Sequence, residues 1–196
     1  MTPRGSGRIG CALLAAGGST RLGRPKQLVS IGGKPLVLHV FEQLQAAACD
    51  CYAAVLGSSA EAVSEALGTA PCAHLNNPAW AEGIASSIRV AVGWARAEQC
   101  TGLVLAACDQ PKLTAAHVRA LCDVHARHAA TVASGYAGTC GIPALFDASW
   151  YTRLEALHGD RGAGALLRTD ASVIVVPWPE GAVDIDTPGD VSVLSE

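Results

Sequence analysis

Charge is scarce in this chain: Asp, Glu, Lys and Arg make up 16% of its 196 residues, and the net charge is −3. That balance draws neither nucleic acid nor an acidic membrane surface, so any phosphate binding has to be local, which favours a small nucleotide over a polymer. Half of the residues are hydrophobic, which excludes a disordered chain and supplies one domain with a sizeable core. No window is long and apolar enough to cross a bilayer. The polar stretch 1–8 lacks an apolar core, so it reads as a flexible tail and not as a signal peptide. A cytoplasmic protein with a single domain over residues 9–196 is the expectation. Cys-x-x-Cys pairs are missing as well. The eight cysteines are Cys11, Cys49, Cys51, Cys72, Cys100, Cys108, Cys122 and Cys140. Several lie in apolar runs, as reduced, buried thiols do, and a zinc site is not expected. Neither a linker nor an internal repeat interrupts the chain, and no Ser-His-Asp or Cys-His pairing suggests a covalent intermediate.

The two commonest phosphate-loop signatures are absent too. A P-loop requires Gly-x-x-x-x-Gly-Lys-Ser/Thr, and a dinucleotide fingerprint requires Gly-x-Gly-x-x-Gly opening a helix. What stands near the N-terminus instead is Leu13-Leu14-Ala15-Ala16-Gly17-Gly18-Ser19-Thr20-Arg21-Leu22-Gly23-Arg24-Pro25-Lys26. The apolar run from Ile9 to Ala16 stops abruptly at Gly17, as a buried strand does where it hands over to a loop. Without a Cβ, Gly17 and Gly18 can take unusual dihedrals and let the backbone approach a bulky ligand. Successive loop N–H groups then form an anion-binding nest. Arg21 offers a planar fork of donors and Lys26 a compact point charge, and Pro25 stiffens the loop. A bare glycine turn with two solvated basic residues is the bland alternative. The combination after a strand favours a cradle for a triphosphate.

Strands and helices alternate along the rest. Leu36, Val37, Val40, Phe41 and Leu44 repeat at helical spacing behind Pro35. Cys51 to Leu56 is a second buried strand, and Ser58 or Ser59 can cap a helix over Ala60 to Leu67. Pro71 to Leu75 is a weaker strand. A loop follows to Gly83, then Ser86-Ser87 and a helix to about Gln99. Gly102 to Ala107 is the clearest central strand. Thr114 caps the next helix, on or near which His117, His125 and His128 fall, solvated or partly packed. Thr131 to Ala133 is a strand, Gly135 to Gly141 a glycine-rich surface loop, and Ile142 to Phe146 an apolar run. Asp147 caps a helix carrying Trp150, Leu154 and Leu157. Ala163 to Leu167 forms a short helix, and Val173 to Val176 a last strand. Thr187 at the N-cap, Pro188 and Asp190 make a helix start near the end. The pattern is an α/β domain with a mostly parallel sheet, whose ligand sits outside the carboxyl ends of the strands.

The carboxylates come next. Asp109 directly follows the strand that ends at Ala107, a suitable post for Mg²⁺, which prefers oxygen ligands and shares itself with substrate phosphates. A plain turn aspartate is the competing reading. Asp184 and Asp186 alternate across Ile185 and share one face of an extended segment. A cation between such groups relieves their repulsion, which makes Asp186 a second metal ligand with Asp184 in support. Asp160, between Gly159 and Gly162, is either a substrate contact or half of a loop ion pair. Gly83 and Ser87 lie at a helix start, where N–H groups can meet a base or ribose.

With these residues in hand, the chain resembles the MobA-like nucleotidyltransferases, and within them the molybdenum cofactor cytidylyltransferase branch. Leu14-Ala15-Ala16-Gly17 through Lys26-Gln27-Leu28 resembles the family's signature loop. Asn77-Pro78-x-Trp80 with Gly83 and Ser86-Ser87 resembles its base-side segment, and Cys108-Asp109-Gln110-Pro111 its metal aspartate motif, with Cys108 in place of the usual Gly. Gly141-x-Pro143, Gly159-Asp160-x-Gly162-Ala163 and Asp184-x-Asp186-Thr187-Pro188 resemble its acceptor-side and closing motifs, with Ile142 where cytidylyltransferases often have His. The resemblance implies a Rossmann-like three-layer nucleotidyltransferase fold and Mg²⁺. It further implies transfer of a nucleoside monophosphate from a triphosphate, with pyrophosphate release. It assigns Arg21, Lys26 and Asp109 to catalysis, and Leu14, Ala15, Ala16, Gly17, Gly18, Arg21, Lys26, Gly83 and Ser87 to the nucleotide. Gly141, Pro143 and Asp160 fall to the acceptor, and Asp109 and Asp186 to the metal. The nucleotide expected is CTP and the acceptor molybdopterin or molybdenum cofactor, with a molybdoenzyme as a further partner. A sugar phosphate or other small acceptor, or a non-catalytic nucleotide-binding accessory protein, are the other classes.

Overall fold

The computed structural model describes residues 7–187, 189 and 190. Residues 1–6 of the expected tail and Pro188 of the expected helix start lie outside the described residues. Arg8 already belongs to the fold, because its carbonyl accepts from Thr101 N at 2.8 Å and its guanidinium meets Glu98 at 2.7 Å.

Strand β1 (Ile9–Ala15) is buried from its second residue to its last. A two-stranded ribbon, β2 (Ser30–Ile31) and β3 (Lys34–Pro35), leads into α1 (Leu36–Ala46). Then come β4 (Cys51–Leu56), α2 (Ala60–Leu67), β5 (Ala73–Asn76), α3 (Ile84–Ala97) and β6 (Gly102–Ala107). The second half holds α4 (Ala115–His128), β7 (Val132–Tyr136), β8 (Thr139–Asp147), α5 (Tyr151–Glu155), α6 (Gly164–Leu167) and β9 (Ile174–Pro177).

Seven strands form one sheet in the order β5-β4-β1-β6-β8-β7-β9. β1 lies in the middle of the parallel part, with Leu13 opposite Ala54 on one side and Ala106 on the other. Only β8 runs antiparallel to its neighbours β6 and β7. Alternate residues of β1 point to opposite faces. Cys11 and Leu13 pack with Phe41, Val63 and Val118 of α1, α2 and α4. Ala12 and Leu14 pack with Ile88, Tyr151 and Leu167 of α3, α5 and α6. The result is the expected three-layer, mostly parallel architecture.

Several expectations need correction. The glycine-rich stretch 135–141 is a hairpin and not a surface loop. Tyr136 pairs with Thr139, and only Ala137 (φ 49°) and Gly138 (φ 72°) turn the chain. Two residues at positive φ complete a tight hairpin, so the rest of the stretch stays in the ladder. Helix α3 starts at Ile84, ahead of Ser86 and Ser87, because these serines are bonded from within the fold, as described below. Ser59 occupies the N-cap of α2 without a side-chain capping bond. Thr114 does cap α4, accepting from His117 N. Asp147 caps a short 3-10 turn ahead of α5, and Leu157 lies beyond that helix. His117 is buried, donating from Nε2 to Ser134 Oγ at 2.7 Å while Ser134 donates to the Pro143 carbonyl. Its ring stacks on Trp178 at 4.8 Å between centroids. Of the cysteines, Cys11, Cys100 and Cys108 are buried and the other five are partly exposed, all as free thiols.

Candidate active site

The carboxyl ends of β1 and β6 lie side by side, Leu14 opposite Ala107, and a cleft of about 410 Å³ opens beyond them. One wall is the loop after β1. Gly17, Gly18, Thr20 and Arg21 are exposed there. Neither Gly17 nor Gly18 takes a left-handed φ, contrary to expectation. Ser19 (φ 52°) and Gly23 (φ 73°) do so instead, and Ser19 O accepts from both Leu22 N and Gly23 N. The missing side chains of Gly17 and Gly18 therefore provide room, not torsional freedom. Among the described residues the N–H groups of Gly18, Ser19, Thr20 and Arg21 meet no protein acceptor, which leaves them available to an anion.

The loop is held from beneath by Gln27, a buried residue that the sequence reading did not single out. Its amide donates to Ala15 O at 2.8 Å and to Gly17 O at 2.9 Å, while Ser19 Oγ reaches its carbonyl oxygen at 3.4 Å. Lys26 N in turn donates to Ser19 Oγ at 2.9 Å. Gly57 matters for the same reason: a Cβ there would collide with the Ala16 carbonyl. That carbonyl accepts from Ser58 N, and Ser58 Oγ donates to Gly17 O.

Opposite the loop, the structure brings together four charged side chains from three distant parts of the sequence. Lys26 Nζ lies 2.8 Å from Asp109 Oδ2 and 3.0 Å from Asp186 Oδ1, and Arg21 Nη2 lies 2.7 Å from Asp186 Oδ2. Burial pulls the Lys26 ammonium towards neutrality, but Asp109 and Asp186 more than reverse that, so its pKa is raised. Asp184 is pushed up by burial and by the neighbouring Asp186 and Asp109. Asp186 is positioned by main chain: Ile185 N donates to Asp109 O at 3.0 Å, and the Ile185 side chain is buried in the core. Asp190 Oδ2 accepts from Asp186 N, Thr187 N and Thr187 Oγ1. These bonds hold its own pKa down.

A third wall starts at Asn77, which is 1% exposed. Its Nδ2 donates to Ser86 Oγ at 2.9 Å and Ser87 Oγ at 3.0 Å, and Ser86 Oγ donates to Gly83 O. Ser87 lines the cleft as an acceptor from Asn77, which leaves its own hydroxyl proton for a ligand. Gly83 takes φ 120°, and a Cβ there would run into Asp160 Oδ1 and the Gly159 carbonyl. The Gly83 N–H is spent on Trp80 O, so Gly83 gives the cleft space and not the donor expected of it. Trp80, Ile84 and Cys108 complete the lining. Asp160 faces both halves of the cleft.

Leu14, Ala16, Gly17, Gly18, Arg21, Lys26, Gly83, Ser87, Asp109, Asp160 and Asp186 thus surround one cleft. Ala15 contributes only its carbonyl, to Gln27. Gly141 and Pro143 are buried and are not in the cleft wall. They lie in the first half of β8, whose antiparallel run brings that half to the same edge of the sheet, and the Ile142 carbonyl between them accepts from Gln110 Nε2 and Tyr136 Oη.

Asp109 Oδ2 and Asp186 Oδ1 converge on one cationic point, at present the Lys26 ammonium. Two oxygen donors of that kind suit a hard divalent cation that keeps water and shares phosphate ligands. Among the described residues no group of three or more His, Cys, Asp or Glu is arranged to hold a metal ion, so the pair would hold one only together with water or phosphate oxygens.

Comparison with known proteins supplies the context. A MobA-like NTP transferase domain is matched over residues 11–173. Nicotine blue oxidoreductase of Paenarthrobacter nicotinovorans is 30% identical over 181 residues, covering 88% of this chain and 84% of that protein. The structure of Rv0371c from Mycobacterium tuberculosis H37Rv superposes with a TM-score of 0.79 at 29% identity, covering 95% of this chain and 97% of the other. Its complex with manganese gives the same TM-score at 28% identity, over 96% and 98% of the two chains. Molybdopterin-guanine dinucleotide biosynthesis protein A from Archaeoglobus fulgidus shares the fold, with a TM-score of 0.71 at 18% identity over 95% and 96%.

Proposed function

The chain belongs to the MobA-like NTP transferase family, and from that membership we propose that it transfers CMP from CTP to the phosphate of a phosphorylated cofactor, molybdopterin or molybdenum cofactor, releasing pyrophosphate. The observation that carries this reading is the facing of two carboxylates, Asp109 and Asp186, with Lys26 and Arg21 across a loop of unengaged N–H groups. An acceptor phosphate oxygen attacks the α-phosphorus. The bond from that phosphorus to the oxygen bridging to the β-phosphorus breaks, and pyrophosphate leaves with the electron pair. A phosphate monoester is already largely dianionic near neutral pH, so no general base is required. Lys26 and Arg21 balance charge on the phosphates, and the N–H groups of residues 18–21 hold them in place. Asp109 and Asp186 would hold Mg²⁺, which when bound neutralises and orients phosphate oxygens.

Ala16 and Trp80 both line the cleft, and a Cβ at Gly57 would meet the Ala16 methyl group and the Trp80 side chain alike. The Ala16 methyl group narrows the space beside the base, and an overfilled site costs about 1–3 kcal/mol. A pyrimidine fits this better than a purine. Gly141, Pro143 and Asp160 are proposed for the acceptor side, at the edge where β8 begins. That acceptor class is taken from the motif resemblance described above, with a molybdoenzyme as recipient of the product.

Pyrophosphate release is the test, measured with CTP, GTP, ATP and UTP, with and without molybdopterin and its molybdenum-loaded form. CTP with a molybdopterin acceptor is expected to be the best pair. A clear preference for GTP or ATP defeats the cytidylyl reading, and release with a sugar phosphate alone moves the acceptor to the smaller class. A second reading follows from the relative named an oxidoreductase: electron transfer to a small molecule in the same cleft. It leaves the carboxylate pair without a use. Oxidation of a reduced nicotinamide cofactor, with no pyrophosphate released under any condition, would favour it.

A further inference from the structure

Two carboxylates and two side-chain cations cancel one another in the cleft before any metal arrives. Lys26 Nζ lies within 3.0 Å of both Asp109 and Asp186, and Arg21 takes the remaining oxygen of Asp186. The side chains of Lys26, Asp109 and Asp186 are 17%, 26% and 23% exposed. At that depth the attraction is stronger than between charges on an open surface. A divalent cation entering between the carboxylates has to displace an ammonium that repels it.

The ammonium also has somewhere to go. The main chain of Lys26 is pinned through its N–H to Ser19 Oγ, but the four-carbon stem is flexible and carries a mobile point charge. Lys26 lines both halves of the cleft, one bordered by Asp109 and the other by Asp186, and Gly17, Ser19 and Thr20 of the loop border both. A polyphosphate lying along that loop would draw the ammonium off the carboxylates and onto itself.

We infer that Lys26 is an internal counter-ion that keeps Asp109 and Asp186 closed to metal until a nucleoside polyphosphate takes its ammonium. Metal and nucleotide then bind cooperatively, each tightening the other by the same factor. The inference rests on the transferase reading for the nature of the polyphosphate and for the two aspartates as metal ligands.

The test is Mn²⁺ binding to the full chain without nucleotide, followed by the paramagnetic signal of the free ion. Lys26→Met is expected to bind Mn²⁺ about tenfold more tightly than the unsubstituted chain, within the usual range of coupling factors. Adding Asp186→Asn to Lys26→Met should return binding to the weak level, which locates the ion at the carboxylate pair. In the unsubstituted chain a CTP analogue with a methylene bridge between the α- and β-phosphates should tighten Mn²⁺ beyond its own chelation of the ion, and in Lys26→Met that excess should vanish. Lys26→Gln repeats the measurement should the Met variant not fold. Variants that bind Mn²⁺ no better than the unsubstituted chain overturn the proposal. Pyrophosphate assays keep the two readings apart. Turnover without a gain in metal affinity removes the counter-ion alone, whereas a gain in affinity in a chain that never releases pyrophosphate removes the transferase reading alone.

Discussion

Gln27 shows how much of the site depends on a residue that touches no reacting atom. Its amide is the donor to two loop carbonyls, Ala15 O and Gly17 O, and Leu has nothing to offer them. Gln27→Leu is expected to cost roughly 1–3 kcal/mol of stability, read from a denaturant titration, and to weaken nucleotide binding further by loosening the loop. A variant that binds nucleotide normally would show that the loop holds its shape unaided. His117 makes a pH-dependent contribution. Burial lowers its pKa from the ordinary 6.5 to about 4, with Glu180 opposing the shift. Between those values the unfolded chain takes up a proton that the folded chain refuses, so stability rises with pH. The contribution is full above 6.5 and declines as pH falls towards 4. His117→Gln, which retains a donor for Ser134, should flatten that part of the stability curve, and an unchanged slope would show that other groups set it. At this scale the chemistry was legible but its geometry was not. Arg21, Lys26, Asp109 and Asp186 could be picked out by residue type, yet nothing in the order of residues says that Lys26 sits on both carboxylates. Gln27 stood inside the signature loop without a role, because a glutamine in a short polar connection looks like any solvated residue.

Elements follow the same division. Continuous apolar runs identified β1, β4 and β6, because strands buried on both faces leave no room for polar residues. The hairpin of β7 and β8 was missed because its tip is built from glycine, alanine and other small residues that carry no alternating pattern. Nor does an apolar run reveal which way a strand points, and the antiparallel course of β8 is what brings Gly141 and Pro143 to the edge near Asp109. Gly83 does stand at the start of α3, but Ser86 and Ser87, read as preceding the helix, lie inside it as partners of the buried Asn77. Gly83, at the start of that helix, lets the loop carrying Asp160 pack directly against it, at a φ that suits only glycine. Gly83→Ala should cost about 1–3 kcal/mol in backbone strain and push Asp160 out of place. A thermal melt reads the first effect and nucleotide titration the second. A variant with both unchanged would mean that the two segments adjust freely around an added methyl group.

At the scale of the whole molecule, one sheet threads both cores, and the resemblance to a MobA-like fold extends over nearly the full chain. We propose that residues 9–196 unfold as one unit. Fluorescence of Trp178 and Trp150, which lie in different parts of the sheet's flanks, should then change at the same denaturant concentration as the far-ultraviolet circular dichroism. Separate midpoints would divide the domain. The joining of Ile185 N to Asp109 O has a consequence in time. A ribosome makes the phosphate loop first, the central strand next and Asp186 long afterwards, 160 residues behind Lys26. Until that segment has emerged and docked, a nascent chain has its cradle and one carboxylate but lacks the second. The pair of carboxylates is therefore the last part of the cleft to be assembled, after both the loop and the central strand.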